Sequence, residues 1–310
     1  MLYFLVKFHK KRHVVGLFLL FSSLAPFLFK NPSRGFSLFA FVLFCFGIIF
    51  LSDYGAQKLT GSSYLTKILN NGTRRSHFIL ISIIAGIILE AMAAYFGHLW
   101  RYPHFSSTVY VLVAVFLKGF AWYFLCILMS YEVFKDIFDH YIKPPKNYQK
   151  NYFFEKIFFQ ILLIVGIISL STVFYQIILS TNYLTKFYFN IDQYQIPYIS
   201  FNLVLLACLG FFSVFEYIEH SKHRSSLLSD LMHGYFNPLL SIIIASITLG
   251  FYMEVQNEPI GLWVYINWPL EKTIFGLPIM IFVLWPVHYI LFLSFYRAFD
   301  RSSIGIWTKK

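Results

Sequence analysis

Long apolar runs alternate with short polar stretches along the whole 310-residue chain. A helix needs about 20 mainly apolar residues to cross the hydrocarbon core of a bilayer. The first two runs are short and flank Asn31-Pro32, so a tight or partly re-entrant hairpin is the alternative to two full spans there. The pattern predicts about eight transmembrane helices, near 14–29, 36–52, 77–96, 105–131, 156–180, 197–215, 235–253 and 270–296.

Composition and charge agree with a membrane protein. Hydrophobic residues make up 58% of the chain and charged residues only 13%, whereas soluble domains carry about 25% charged residues. The net charge of +11 fits the positive-inside rule, because most Lys and Arg residues fall in alternate polar stretches. This bias predicts a multi-pass protein of the cell membrane with both termini in the cytoplasm. No basic run is interleaved with base-stacking aromatics, which argues against nucleic-acid binding.

The chain repeats itself with an offset of 163 residues. The tetrapeptide Leu-Trp-x-Tyr occurs at 99–102 and again at 262–265. At an offset of 164, the pattern Ser-Ile-x-x-Gly-x-x-x-Glu ends at Glu90 and again at Glu254. Self-similarity of this kind indicates duplicated structural units. Further pairs at 163 are Cys45 and Cys208, Gly47 and Gly210, Asp53 and Glu216, and Trp122 and Trp285.

The duplication predicts an all-α polytopic membrane fold of two four-helix repeats, 1–150 and 151–310. The linker between them is polar and broken by Pro144-Pro145. Because each repeat has an even number of spans, both run in the same direction, related by a pseudo-twofold axis along the membrane normal. Repeats of this kind often form a binding site where the halves meet.

Glu90 and Glu254 are the strongest candidates for catalytic chemistry. Glu90 lies six residues before the predicted end of its span, which is roughly 9 Å deep. An ionisable group at that depth is costly and is a functional hypothesis by default. The alternative is that each Glu side chain reaches the outer headgroups. Lys118 also lies within a predicted span, where it either contributes to a site or snorkels to the inner surface.

The duplicated aromatic residues have two interpretations. As interfacial anchors, they would form the belts in which Trp and Tyr rings sit at the headgroup level. As substrate-binding residues, they would line a pocket near the two glutamates, and His288, about a turn after Trp285, would join them. A lone membrane His is otherwise a packed hydrogen-bonding residue. The aromatic candidates are Trp100, Tyr102, Trp122, Trp263, Tyr265 and Trp285.

Other acids and the cysteines are weaker candidates. Asp53 and Glu216 end their spans on the cytoplasmic side, where a salt bridge with a basic loop is the simpler interpretation than a ligand site. Asp136-x-x-Asp139 is a single acidic motif, whereas a magnesium-diphosphate site usually needs paired clusters. The cysteines lie in apolar runs without a Cys-x-x-Cys pair, so the sequence predicts no disulfide framework and no metal site.

Several short motifs follow one another in the second half: Gly250-x-x-x-Glu254, Gly261-Leu-Trp263-x-Tyr265, Gly276-Leu-Pro278 and Trp285. Together they resemble the pattern of the carotenoid-biosynthesis membrane proteins of the carotenoid 1,2-hydratase type. Two halves that each carry an intramembrane acid and a Trp are also similar to the membrane-embedded lycopene cyclases. The chain departs from the Pro-x-Glu-Glu motif of those cyclases, because it has Pro269-Leu-Glu271-Lys272.

The resemblance implies a cofactor-independent enzyme that modifies an isoprenoid or carotenoid within the bilayer. An intramembrane Glu would donate a proton to a polyene double bond as a general acid, and aromatic faces would stabilise the resulting cation. Water capture would then give hydration, and ring closure would give cyclisation. The alternatives are a lipid or small-molecule transporter, which parallel repeats would suit, and a non-catalytic membrane scaffold.

Overall fold

The computed structural model describes residues 11–29, 34–62, 64–102, 119–143, 152–180, 199–223, 225–258, 261–270 and 272–300, and this part of the chain is mostly helical. The α-helices are α1 (Arg12–Ser23), α2 (Arg34–Thr60), α3 (Tyr64–Leu69), α4 (Gly72–Leu89), α5 (Phe120–Tyr141), α6 (Tyr152–Ser180), α7 (Phe201–His223), α8 (Leu227–Met232), α9 (Asn237–Asn257) and α10 (Ile281–Phe299). The shorter elements are a 3₁₀ turn (Ala25–Leu28), a π-helix (Glu90–Phe96) and the strands β1 (Trp100–Arg101), β2 (Val264–Tyr265), β3 (Thr273–Ile274) and β4 (Leu277–Pro278).

Six of the described helical segments are long and apolar enough to cross a membrane, in agreement with the all-α membrane fold predicted from hydropathy. The run predicted near 14–29 forms the shorter apolar helix Arg12–Leu28. The run predicted near 105–131 begins outside the described residues, which resume at Gly119. The six segments are Leu38–Thr60, Gly72–Phe96, Phe153–Ser180, Phe201–His223, Asn237–Asn257 and Ile281–Phe299.

The predicted last span, 270–296, is wrong at its start. Strands β3 and β4 form an antiparallel hairpin there, with Ile274 opposite Leu277. The turn between them places Phe275 and Gly276 at φ values of 54° and 76°, the left-handed backbone of a tight hairpin turn. The apolar residues of this hairpin extend the hydropathy pattern, but α10 begins only at Ile281.

The described chain packs into two compact units, and each contains segments from both predicted halves. Unit 1 comprises Met1–Ile83, Ala114–Pro144 and Asn237–Leu262, and unit 2 comprises Ile84–Val113, Pro145–Phe236 and Trp263–Lys310.

In unit 1, α2 packs against α1 and α5, and α5 also contacts α9. The α1–α2 contact is close because two glycines face each other. A Cβ on Gly47 would lie 2.8 Å from Leu20 Cγ, and one on Gly16 would lie 3.1 Å from the Gly47 carbonyl oxygen. Small residues of this kind let membrane helices approach closely. Arg12 and Asp53 form a buried ion pair between the same two helices.

In unit 2, α7 packs against α6 and α10. A second glycine pair joins α6 and α7, where a Cβ on Gly210 would lie 2.8 Å from Leu170 Cγ and one on Gly166 would lie 3.0 Å from the Gly210 carbonyl oxygen. A buried core connects these helices to the π-helix and to the loop that follows it, so the core fixes the chain directly after Glu90. Its members are Met92, Ala93, Leu99, Val173, Ile177, Ile199, Val204 and Ala207.

Candidate functional site around Glu90

Glu90 is the point at which α4 widens into a π-helix. It lies inside the candidate membrane segment Gly72–Phe96 and is half-buried. At the far end of the π-helix, the Gly97 N–H donates a hydrogen bond to the Met92 carbonyl oxygen at 3.0 Å, the i to i−5 spacing of a widened turn. Such turns within α-helices occur frequently at functional sites.

Two aromatic side chains donate hydrogen bonds to the Glu90 carboxyl group. Trp100 Nε1 lies 3.2 Å from Oε2, and the Tyr102 hydroxyl lies 2.6 Å from Oε1. An indole N–H can only donate, so Oε2 is held as an acceptor, whereas a phenol hydroxyl can donate or accept. The structure therefore brings together three candidate residues, Glu90, Trp100 and Tyr102. A proton can pass between Glu90 Oε1 and the Tyr102 hydroxyl.

The two copies of Leu-Trp-x-Tyr pair with each other as β1 and β2. The pairing is antiparallel, with Trp100 opposite Tyr265 and Arg101 opposite Val264. Arg101 and Val264 are related by the 163-residue offset, so equivalent positions of the duplicated motif face each other. In a twofold-symmetric contact, the central residue faces its own equivalent, and each residue before it faces the equivalent of the residue after it.

The second copy also holds the chain directly before Trp100. The Ile266 N–H donates to the Leu99 carbonyl oxygen at 2.9 Å, and Trp268 Nε1 donates to the same oxygen at 2.6 Å. These two bonds fix the backbone from which the Trp100 indole reaches Glu90. Residues beyond β2 are therefore part of the support of the site.

Trp268 and Asn267 are functional candidates that sequence reasoning missed. Asn267 Nδ2 donates to the His98 carbonyl oxygen at 3.2 Å, and the Trp268 ring meets the Tyr265 ring edge-on at a centroid distance of 5.5 Å. Asn267 has a φ of 54°, a left-handed conformation that Asn adopts more readily than most residues. The turn-forming run Asn-Trp-Pro, one residue after the tetrapeptide, was the available signal.

The second set of candidates is arranged differently from the first. Trp263 Nε1 donates to the Tyr265 hydroxyl at 3.2 Å, whereas both aromatics of the first copy donate to Glu90. Glu254 is buried in α9, with 6% of its surface exposed. Glu254 belongs to unit 1, and Glu90, Trp263 and Tyr265 belong to unit 2.

The remaining candidates lie on α5 and α10 or outside the described residues. The Trp122 ring packs on Phe46 of α2 with a centroid distance of 4.8 Å. Trp285 is buried in α10, and His288 on the same helix is half-buried. Lys118 lies outside the described residues.

Two acids at predicted span ends make structural contacts. Asp53 pairs with Arg12, so its partner is a helix residue rather than a loop residue. Glu216 accepts a hydrogen bond from the Leu228 N–H at 2.8 Å and one from the Ser294 hydroxyl at 3.3 Å. Glu216 therefore satisfies a free backbone N–H at the start of α8, the kind of group that helix N-termini leave unpaired.

Asp139, in the acidic motif on α5, also makes structural contacts. Asp139 accepts from Lys135 Nζ through Oδ2 at 3.0 Å and from Asn237 Nδ2 through Oδ1 at 3.0 Å. Oδ1 thus joins α5 to the start of α9, whereas Oδ2 pairs with a lysine of the same helix. Among the described residues, no group of three or more His, Cys, Asp or Glu is arranged to hold a metal ion.

Comparison with protein-family models, curated proteins and solved structures gives no match. We therefore infer the chemistry of the site from the contacts of Glu90 alone. The Glu90 carboxyl group lies inside an apolar segment and can donate or accept a proton. The Trp100 and Tyr102 rings bonded to it can present their faces to an apolar or cationic group.

Proposed function

We propose that this chain is a membrane-embedded enzyme that acts on an apolar, lipid-like substrate with Glu90 as its proton donor. One observation carries the proposal: the Glu90 carboxyl group lies in a candidate membrane segment and accepts hydrogen bonds from Trp100 and Tyr102. Placing an ionisable group at that depth is costly, and two aromatic donors hold it in one orientation. A helix that only spans the bilayer needs neither feature.

The substrate class we propose is an isoprenoid polyene, which is the class implied by the sequence resemblance to carotenoid-biosynthesis proteins. Glu90 protonates a double bond as a general acid, and the Trp100 ring stabilises the cation that forms. The Tyr102 hydroxyl, 2.6 Å from Oε1, relays the replacement proton to Glu90. Addition of water to the cation, followed by loss of a proton from the bound water to the Glu90 carboxylate, completes a hydration, and ring closure followed by proton loss completes a cyclisation. Neither outcome requires a cofactor.

We further propose that eight spans form two parallel four-span repeats, with both termini on the cytoplasmic side of the cell membrane. The register of β1 and β2 supports a twofold relation between the halves. The matched glycines Gly47 and Gly210 support it as well, because each packs against a leucine of the preceding helix. His98 and Gly261, also 163 residues apart, both have left-handed φ values, 46° and 58°.

A polyene-producing host provides the test of the enzymatic proposal. Cells that express the wild-type protein should contain a new lipid, either heavier than the polyene by one water or isomeric with it, in mass spectra of their extracts. Glu90→Gln should abolish this product, because glutamine retains the shape of the side chain and can accept from Trp100 while donating to the Tyr102 hydroxyl, but it has no acidic proton. Glu258→Gln is the matched control, since Glu258 is exposed at the end of α9.

Full conversion by Glu90→Gln, or by the double variant Glu90→Gln with Glu254→Gln, would rule this mechanism out. Unchanged lipid in every extract would favour the alternatives. A transporter would then move labelled lipid or solute across proteoliposome membranes in a Glu90-dependent way, and a scaffold would do neither.

A further inference from the structure

The loop that joins α2 to α4 carries an unbalanced positive charge. Residues 54–89 contain no Asp or Glu, so no acid close in the sequence balances the Lys and Arg residues there. We call these four residues, which all belong to unit 1, the basic loop cluster. They are Lys58 near the end of α2, Lys67 on α3, and Arg74 and Arg75 in the first turn of α4.

The two helices that flank the loop hold the cluster at one membrane surface. Leu38–Thr60 and Gly72–Phe96 are candidate membrane segments, and only residues 61–71 separate them. A chain that leaves the bilayer at the end of α2 and returns at the start of α4 turns at a single surface. Lys58 lies two residues before the end of α2 and Arg74 two residues after the start of α4, about 3 Å along each helix axis. The cations therefore lie at the level of the lipid headgroups.

Contacts within the protein give the loop a defined structure. Leu65 and Ile68 are buried, at 3% and 1% exposure, and α3 contacts α5, whereas Lys67 on the same helix is exposed. The Asn71 side chain accepts a hydrogen bond from the Arg74 N–H through Oδ1 at 3.0 Å, which caps the start of α4. The loop therefore holds its cations on an ordered scaffold.

No carboxylate neutralises the cluster within the described part of the chain, where the ion pairs all join other residues. Lys58 Nζ lies 5.8 Å from the centre of the Tyr54 ring, a contact that leaves its charge in place. Arg74 has a buried Nε atom that donates to no acceptor among the described residues. A buried N–H without an acceptor is rare, and guanidinium groups form strong, charge-assisted hydrogen bonds with phosphate oxygens. An anion from outside the protein therefore fits this position.

The equivalent loop of the second half has the same order of elements without the positive cluster. At the offset of 163, the end of α2 at Thr60 corresponds to the end of α7 at His223, and α3 corresponds residue for residue to α8. A loop of this kind thus forms without the four cations, which points to a role for them outside the folding of the loop. The residues at the equivalent positions are Ser221, Asp230, Asn237 and Pro238.

We propose that the basic loop cluster is a docking surface for the phosphate groups of anionic phospholipids. On the topology proposed above, the loop faces the cytoplasmic leaflet, whose anionic lipids attract basic segments next to membrane helices. A guanidinium group can donate two parallel hydrogen bonds to one phosphate, whereas a lysine ammonium group acts as a point charge. The bound lipids hold the turn between α2 and α4 against the membrane. This proposal rests on the membrane placement of α2 and α4 and does not depend on the chemistry of Glu90.

Hydrogen–deuterium exchange of the full-length protein in two kinds of nanodisc tests the proposal. One kind contains only phosphatidylcholine, and the other contains phosphatidylcholine and phosphatidylglycerol in a ratio of two to one. The wild-type amides of 61–75 should exchange at least about fivefold more slowly in the second kind, the effect expected for even one cation at an anionic surface. Raising the salt concentration to about 1 M should reduce the difference, since screening then acts within about 3 Å.

Two triple variants separate charge from shape. Lys67→Gln with Arg74→Gln and Arg75→Gln should lose the difference between the two nanodiscs. The matched control, Lys67→Arg with Arg74→Lys and Arg75→Lys, keeps every charge and should retain most of the difference. Exchange in the rest of unit 1, measured in phosphatidylcholine, should be the same in both variants as in the wild type, which checks their folding.

Equal exchange of the wild type in both nanodiscs would overturn the proposal without any variant. An undiminished difference in the Gln variant, or its loss in the charge-preserving control, would also overturn it. Glycerol 3-phosphate is the soluble probe with the same phosphate chemistry. Equal protection by this compound in phosphatidylcholine nanodiscs would assign the cluster to a soluble phosphate ligand and would contradict lipid docking.

Discussion

Replacing Gly47 or Gly210 with alanine should destabilise the protein, although alanine is the better helix former. Gly47 lies in α2 and Gly210 in α7, and both face a leucine of the neighbouring helix. A Cβ at Gly47 would lie 2.8 Å from Leu20 Cγ and 3.0 Å from the Leu20 backbone nitrogen. The backbone nitrogen cannot rotate away, so α1 would have to shift.

Two opposing contributions determine whether Gly→Ala raises or lowers the free energy of unfolding. Alanine in a helix interior is favoured over glycine by about 1 kcal/mol, whereas overpacking a close contact costs about 1–3 kcal/mol. At Gly210 the nearest atom is Leu170 Cγ at 2.8 Å, and Ser169 Cβ, which is fixed to the backbone of α6, lies at 3.2 Å, so a penalty of the same kind applies there. The net effect should be a loss of roughly 1 kcal/mol at each site, or a decrease in Tm of about 2–4 °C.

Thermal unfolding in detergent, followed by tryptophan fluorescence, measures this effect. Gly35→Ala is the control, because a Cβ at Gly35 meets no atom within 4 Å, and its Tm should be unchanged or higher. Wild-type or higher Tm values for both Gly47→Ala and Gly210→Ala would refute the close-contact reasoning. A decrease in only one of them would count against equivalent contacts in the two halves.

Three further predictions follow from individual contacts. Tyr102→Phe removes the hydroxyl that donates to Glu90, so the rate of polyene conversion, measured by mass spectrometry, should fall about tenfold or more at unchanged Tm. Arg12→Met removes the guanidinium that pairs with the buried Asp53 carboxylate and should cost about 3–5 kcal/mol in denaturant unfolding, whereas the double variant with Asp53→Leu should recover most of that loss. Trp268→Phe keeps the ring but removes its hydrogen bond to the loop before β1, so conversion should fall while Tm falls by only a few degrees.

The membrane segments could be predicted from the sequence because hydropathy reports composition over a whole helix length. The predicted end of the third span at residue 96 coincides with the end of the segment Gly72–Phe96. The start of the last span could not be predicted in the same way. Leu277–Met280 are apolar, yet the left-handed turn at Phe275 and Gly276 folds this stretch into a hairpin, and hydropathy does not detect a turn.

The members of the candidate site could be predicted, but not their arrangement. Glu90 is identified by its depth in the span, and Trp100 and Tyr102 by their recurrence at 263 and 265. That both aromatics reach the Glu90 carboxyl group depends on the π-helix and on the turn after it, which no periodicity in the sequence indicates. The pairing of β1 with β2 joins residues that are 163 and 165 positions apart in the chain, and each strand is two residues long, too short for a strand pattern.

Deuterium from the solvent should mark the carbon atom that Glu90 protonates, because a general acid transfers a solvent-exchangeable proton to carbon. Purified protein in liposomes that contain the polyene should be incubated in D₂O, and the product should be analysed by mass spectrometry after back-exchange of its hydroxyl groups. The wild-type product should contain one carbon-bound deuterium, and Glu90→Gln should give no product. A wild-type product without carbon-bound deuterium, or an equal yield from Glu90→Gln, would contradict the role of Glu90 as the general acid.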